Sequence, residues 1–246
     1  MKPAVKAVIF DLDGTLVDSA ADLQAAANRL MRQNGLPELD LATVTGFIGN
    51  GIARLVERCF ALHGDLPEDL TTQIARFKDF YEAEGHRRTR LMPAAESALR
   101  RLAAGGTAIG LCTNKDTAPA LEILRHLRVE RLFSAVVGGD SGLAKKPDPA
   151  PLLACISACG AKPEEAVYVG DSETDAHTAA HAGLPFLLYT EGYRKAPLAA
   201  LEHRAAFSHF AMLPQVVQGL QPTSPAETDP PPAAVIPFPG PAAKAG

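Results

Sequence analysis

Two carboxylates, Asp11 and Asp13, stand two positions apart where an apolar, β-branched run from Val5 to Phe10, broken by one lysine, comes to an end. Such a run reads as a strand buried on both faces of a parallel sheet. Gly14 and Thr15 follow at once and bend the chain away. Carboxylates at the edge of a core lose hydration, so a pair of them there calls for a compensating cation. Ligands of open α/β sheets bind at the carboxyl ends of the strands. The pair therefore predicts a metal-dependent site built on this strand end.

Three more polar clusters follow apolar strand candidates in the same way. Thr113-Asn114 follows Ile109 to Cys112, Lys145-Lys146-Pro147 comes soon after Ala135 to Val137, and Gly170-Asp171-Ser172-Glu173-Thr174-Asp175 follows Ala166 to Val169. Any one of these is a common turn, but four in order would land on one edge of one sheet.

The elements that must position these residues change in texture along the chain. Ala20 to Gln33 has helical spacing and stops at Asn34-Gly35. From Leu41 to Tyr81 the pattern stays helical, with apolar stripes at Leu55, Val56, Cys59 and Phe60 and at Ile74, Phe77, Phe80 and Tyr81. A glycine-rich loop, Gly46 to Gly51, interrupts it. Beyond Pro93 helices alternate with strands: helices over Ala94–Ala104, Asp116–Leu127, Pro149–Cys159 and Ser172–Ala182, strands over Thr107–Cys112, Ala135–Val137, Ala166–Val169 and Phe186–Tyr189. Alternation of this kind means βαβ units and a parallel sheet, hence an α/β protein built as a three-layer α/β/α sandwich.

The expected organisation is a core over residues 1–18 and 92–220, an inserted α-helical cap domain over 19–91 hung on linkers near Val17 to Ala20 and Arg88 to Pro93, and a disordered tail over 221–246. That last stretch holds eight of the twenty prolines. The formal charge of −4 and pI near 6 argue against a nucleic-acid surface or a polybasic membrane patch. No run approaches the ~20 apolar residues of a membrane span, and the N-terminus passes straight into the first strand with no room for a signal peptide, so the expected location is cytoplasmic. Cys59, Cys112, Cys155 and Cys159 show neither a CxxC pair nor zinc spacing and read as reduced thiols in a core.

DLDGTLVDS at 11–19 matches the first motif of the haloacid-dehalogenase superfamily of phosphotransferases, which this chain resembles from Val5 to about Leu220. Within it, GFIGNGIARLVERC, TNKD, GGDSGLAKKPDPAPL and VGDSETDAHTAAHAG are most similar to bacterial phosphoglycolate phosphatases. The resemblance implies a Mg²⁺-dependent phosphomonoesterase acting on a small phosphate ester, 2-phosphoglycolate first, as a monomer or homodimer. Sugar-phosphate and amino-sugar-phosphate phosphatases and a β-phosphoglucomutase-like mutase share much of the pattern and are the alternatives.

It makes Asp11 the nucleophile and Asp13 the acid and base, with Mg²⁺ held by the Asp11 carboxylate, the Asp13 carbonyl and the Asp171 carboxylate. A carboxylate approaching a phosphate dianion is repelled by about 8 kcal/mol at roughly 4 Å and an effective dielectric of about 20, so cations must cancel that charge. Lys146, which stands directly before the proline as in the family, would contribute; Thr113 and backbone N–H groups near Gly14 and Asn114 would bind the remaining phosphate oxygens. In dehalogenases the second carboxylate is absent, because halide needs no proton, so Asp13 favours phosphoryl transfer. Asp175 reads as an orienting group for metal-bound water or Lys146. His177 and His181, one helical turn apart, lack the glutamate of a metal motif and read as structural or solvated. Substrate choice falls to the cap, with Asn50 in its facing loop Gly49 to Gly51, Arg54 behind it, and Lys115 on the core side as candidates for a substrate carboxylate.

Overall fold

The computed structural model describes residues 5–64 and 66–220. In chain order the elements are β1 (Ala7–Phe10), β2 (Val17–Asp18), α1 (Ala20–Gln33), α2 (Leu41–Thr45), α3 (Ile52–Ala61), α4 (Leu70–Glu84), β3 (Arg90–Leu91), α5 (Ala95–Ala104), β4 (Ala108–Cys112) and α6 (Thr117–His126). There follow β5 (Ala135–Val137), α7 (Ala150–Ala158), β6 (Ala166–Gly170), α8 (Glu173–His181), β7 (Phe186–Tyr189), β8 (Ala205–Phe207) and α9 (Leu213–Gly219).

Six strands form one sheet in the order β5-β4-β1-β6-β7-β8, and every pair is parallel. Alternation along the strands divides the core in two. Val8, Phe10, Ile109, Leu111, Val167 and Val169 pack on one face with α5, α6 and α9. Ala7, Ile9, Tyr168, Phe186 and Leu188 pack on the other with α7 and α8. This is the three-layer sandwich that the alternation of helices and strands predicts. After β1 the chain winds outward through β4 and β5 and then returns to the opposite side of β1 for β6, which makes the C-terminal end of β1 the switch point of the sheet. Because Phe10 pairs with both Leu111 and Val169, the residues that follow β1, β4 and β6 emerge together along one edge.

Helices α1 to α4 have an apolar cluster of their own, in which Leu23, Ala27, Leu30 and Met31 meet Val56, Cys59, Phe77 and Tyr81. The chain enters and leaves this helical unit through β2 and β3, an antiparallel ribbon pairing Val17 with Leu91 and Asp18 with Arg90. The stretches read from sequence as open linkers are thus hydrogen-bonded to each other. Asp22, wholly buried at the start of α1, fastens the return strand by accepting from the backbone N–H of Arg88 (3.0 Å) and Thr89 (2.8 Å) and from the Thr89 hydroxyl (2.8 Å).

The sequence reading stopped at β7 and did not anticipate β8 or α9. β8 is three residues, Ala-Ala-Phe, with little β-branched character to mark it. All four cysteines are free thiols, three of them buried. No helix among the described residues is long and apolar enough to cross a membrane. The tail expected over 221–246 lies outside the described residues.

Candidate active site

Asp11 leaves the end of β1 with its backbone N–H donating to Val169 O at 2.9 Å, so the sheet itself fixes its position. Its side chain is buried beside Lys146, whose Nζ is 2.9 Å from Oδ1. The contact is ionic but off the line a hydrogen bond requires, and Oδ1 has no hydrogen-bond partner. Burial pushes the Asp11 pKa up to about 6 against the pull of Lys146, with Asp175 adding to the rise. Lys146 is held in turn by Asp175 Oδ1 (2.7 Å) and Tyr168 Oη (2.8 Å). Burial works against its charge, yet Asp11 and Asp175 keep the ammonium above its ordinary pKa. Lys145, next to it, is exposed.

Asp175 has both oxygens fully used. Oδ1 accepts from Lys146 and from the Tyr168 hydroxyl (2.8 Å); Oδ2 accepts from the Ser172 hydroxyl (2.6 Å) and the N–H groups of Ser172 (3.1 Å) and Asp171 (3.3 Å). Burial opposes its charge, but Lys146 and these bonds hold its pKa below the ordinary value. Ser172 and Asp175 also close a reciprocal cap at the start of α8, so helix initiation and lysine positioning share one carboxylate.

Asp171, at the end of β6, accepts from the Thr15 hydroxyl (2.6 Å) and the Tyr193 N–H (2.6 Å). Burial, then the charges of Asp175 and Asp11, hold its pKa well above the ordinary carboxylate value. Oxygens of Asp11, Asp171 and Asp175 lie within 4.8 Å of one another. With all three ionised, Lys146 cancels one charge and two remain out of water. The backbone makes room around Asp171: a Cβ on Gly14 (φ +86°) would fall 2.5 Å from its Oδ2, and one on Gly192 would fall 2.3 Å from its Cβ. With Asp175 consumed by donors, Asp11 and Asp171 are the carboxylates left to a cation. An oxygen free of hydrogen bonds, three clustered carboxylates against one ammonium and an all-oxygen donor set fit a hard divalent ion.

Asp13 lies further out. Its Oδ1 accepts from the Ser19 hydroxyl (2.5 Å), and its Oδ2 is 3.0 Å from Lys115 Nζ. Lys115 is itself buried and also donates to Tyr81 Oη at 3.3 Å. Burial disfavours its charge, but Asp13 and Tyr81 outweigh it and raise its pKa. Asp11, Asp13, Thr113, Asn114 and Lys115 line one side of a cavity of about 30 Å³, and Leu23, Ile48, Ile52 and Leu55 of the helical unit line the other.

Two of the expected binding residues spend their side chains on protein contacts. Asn114 donates to Gly49 O (3.0 Å) and Lys146 O (3.1 Å) and accepts from the Lys146 N–H (2.9 Å), which ties the helical unit to the lysine loop. Asn50 donates to Thr174 Oγ1 (3.1 Å) and accepts from Arg58 (2.7 Å). Arg54 is not brought to the cavity: its guanidinium is exposed and paired with Glu57 at 2.6 Å, because its position on α3 turns it away from the stripe of Ile52 and Leu55. His177 and His181 are both exposed.

Sequence reasoning missed Tyr168, Ser19 and Tyr193. A lone hydroxyl-bearing ring in the strand Ala-Val-Tyr-Val-Gly was a readable signal for the first. Tyr193 carried none, since its hydroxyl bonds Asp18 (2.6 Å) and the Ser19 N–H (2.9 Å) across 175 and 174 positions of sequence.

Comparison with known proteins bears on the same residues. The sequence profile of the haloacid dehalogenase-like hydrolase family matches residues 8–189. A phosphoglycolate phosphatase of Cereibacter sphaeroides is 47% identical over 216 residues, covering 87% of this chain and 98% of that protein. One from Rhodospirillum rubrum is 42% identical over 85% of this chain and 89% of its own. The crystal structure of a predicted phosphoglycolate phosphatase from Haemophilus somnus superposes with a TM-score of 0.81 at 32% identity, over 87% of this chain and 98% of that one. A buried aspartate at the switch point, its lysine and its acidic neighbours thus sit inside a match that spans nearly the whole described fold, and the chain belongs to the haloacid dehalogenase-like hydrolase family.

Proposed function

We propose that the protein is a Mg²⁺-dependent phosphomonoesterase that hydrolyses 2-phosphoglycolate to glycolate and phosphate. The observation that carries the reading is Asp11: a buried carboxylate at the switch point with one oxygen free of hydrogen bonds, flanked by a lysine and a second metal-competent carboxylate. The substrate follows from the names borne by the relatives at 40–47% identity.

In this reading Asp11 attacks phosphorus, the bond to the leaving oxygen breaks with its electron pair, and Asp13 delivers a proton to that oxygen. Water then attacks the aspartyl-phosphate, Asp13 takes its proton, and phosphate leaves as the Asp11 carboxylate is restored. Lys146 offsets negative charge beside Asp11 throughout, and the Thr113 hydroxyl and N–H groups near Gly14 and Asn114 bind phosphate oxygens. Asp11, Asp171 and the Asp13 carbonyl would hold Mg²⁺, which supplies the positive charge that lets an anion approach an anion.

Residues 19–91 act as a cap on a core formed by 1–18 and 92–220. Residues of both units line the cavity, so substrate enters with motion of the helical unit about the β2–β3 ribbon. Measuring phosphate release across 2-phosphoglycolate, hexose phosphates and amino-sugar phosphates, with Mg²⁺ present, tests the assignment. Background turnover of 2-phosphoglycolate beside ready hydrolysis of a sugar phosphate would overturn it.

A further inference from the structure

Asp13, the proton carrier of the proposed reaction, has no free oxygen in this structure: Ser19 occupies one and Lys115 the other. Lys115 has a second partner in the Tyr81 hydroxyl and lies over that ring, 4.8 Å from its centroid. An ammonium has three donors, so these contacts leave one unassigned. Of the residues lining the cavity Lys115 alone is cationic, since Lys146 sits behind Asp11. The facing wall of Ile48, Ile52 and Leu55 is apolar. Sugar hydroxyls set against it would lose their hydrogen bonds to water without replacement, whereas a short ester would not.

Distances then limit what Lys115 can reach. A proton donor must approach the leaving oxygen to about 3 Å, and Lys115 Nζ is 3.0 Å beyond the Asp13 oxygen. The ammonium therefore lies within about 6 Å of the leaving oxygen. A carboxylate on the carbon next to that oxygen projects about half of this distance and meets the ammonium at ion-pair range.

We propose that Lys115 is the specificity-determining residue, exchanging Asp13 for the carboxylate of a leaving group that carries its acid on the carbon bonded to the leaving oxygen. The exchange releases Asp13 Oδ2 to face that oxygen, so the correct substrate frees its own proton carrier. No proton moves in the exchange, and the count of ion pairs is unchanged. The inference rests on the phosphatase reading above and extends it to the class of 2-phosphoryloxy carboxylates.

The test compares kcat/KM for 2-phosphoglycolate, its neutral amide 2-phosphoglycolamide, and 3-phosphonooxypropionate, in which the acid is one methylene further away. The native enzyme should favour 2-phosphoglycolate over each by about 100-fold or more, as expected for a desolvated charge pair. In Lys115→Met the preference for acid over amide should fall below about tenfold, mostly through KM. Tyr81→Phe, which leaves the ammonium in place, should keep the preference. Retention of the full preference by Lys115→Met, or equal loss on acid and amide, overturns the role of Lys115 while the phosphatase reading stands. Should Lys115→Met not fold, the native enzyme still decides: equal use of 2-phosphoglycolate and 3-phosphonooxypropionate overturns the proposal. Failure of all three esters alongside turnover of a sugar phosphate would instead overturn the underlying function.

Discussion

Asp11 and Asp175 are both buried carboxylates within reach of Lys146, yet hydrogen bonding divides them. Asp175 has every lone-pair direction used by donors, so its work is to hold Lys146; Asp11 accepts no hydrogen bond at Oδ1, only the ionic contact of Lys146, and is the one able to attack. A buried acid with an oxygen that accepts no hydrogen bond is unfavourable in the folded chain, and the Lys146 ammonium that sustains it is one the chemistry uses. Asp11→Asn should lower turnover by more than about 10⁴-fold, as loss of a nucleophile does in other hydrolases, with an unchanged far-ultraviolet circular dichroism spectrum. Activity within tenfold of the native enzyme would exclude a covalent intermediate on this residue.

The helices and strands do their positioning at their ends. β1, β4 and β6 each stop one residue short of a functional side chain, and their common register sets Asp11, Thr113 and Asp171 along one edge. This much was legible in the sequence, because an apolar run that halts at a polar cluster marks both a strand and its C-terminal end; the bounds of β7 agree with its apolar run, and those of α1 with helical spacing and the Asn34-Gly35 stop. What could not be read were side-chain directions across long separations. Lys115 and Arg54 were equal candidates as letters, but one points into the cavity and the other into solvent. The β2–β3 ribbon, two residues a side, is too short to have a period at all. Its strength lies in Asp22, which takes three hydrogen bonds from Arg88 and Thr89, just ahead of β3. Asp22→Ala should leave buried donors unpaired and destabilise the protein by about 2–4 kcal/mol, read from the denaturation midpoint at constant slope. A change below about 0.5 kcal/mol would show the ribbon to be held by other contacts.

Taken as a whole, the protein has a large α/β body and a smaller helical one, each with its own apolar cluster, meeting across a cavity lined by both. Its charge is modest, −4 over 246 residues, but three carboxylates, Asp11, Asp171 and Asp175, are buried within reach of one another at the strand ends. A cation that relieves this concentration binds the folded chain and not the unfolded one. Mg²⁺ at about 100 times its dissociation constant should therefore stabilise the fold by about 2.7 kcal/mol. A melting temperature that rises with Mg²⁺, falls back on chelation, and does not respond in Asp171→Asn is the expected result; no shift in the native protein would remove the metal from the site.

The β2–β3 ribbon has one more consequence. The chain leaves the core at Asp18 and re-enters at Arg90 on neighbouring strands, so the backbone ends of the helical unit are separated by about 5 Å, the spacing of a cross-strand pair. That is a gap a two-residue hairpin turn spans. In covalent terms the helical unit is a parenthesis in the sequence: a segment of any length can be grafted at this joint without moving β1 or β4. The core's site residues, Lys115 among them, and the apolar wall of Ile48, Ile52 and Leu55 that faces them can then be recombined as separate parts.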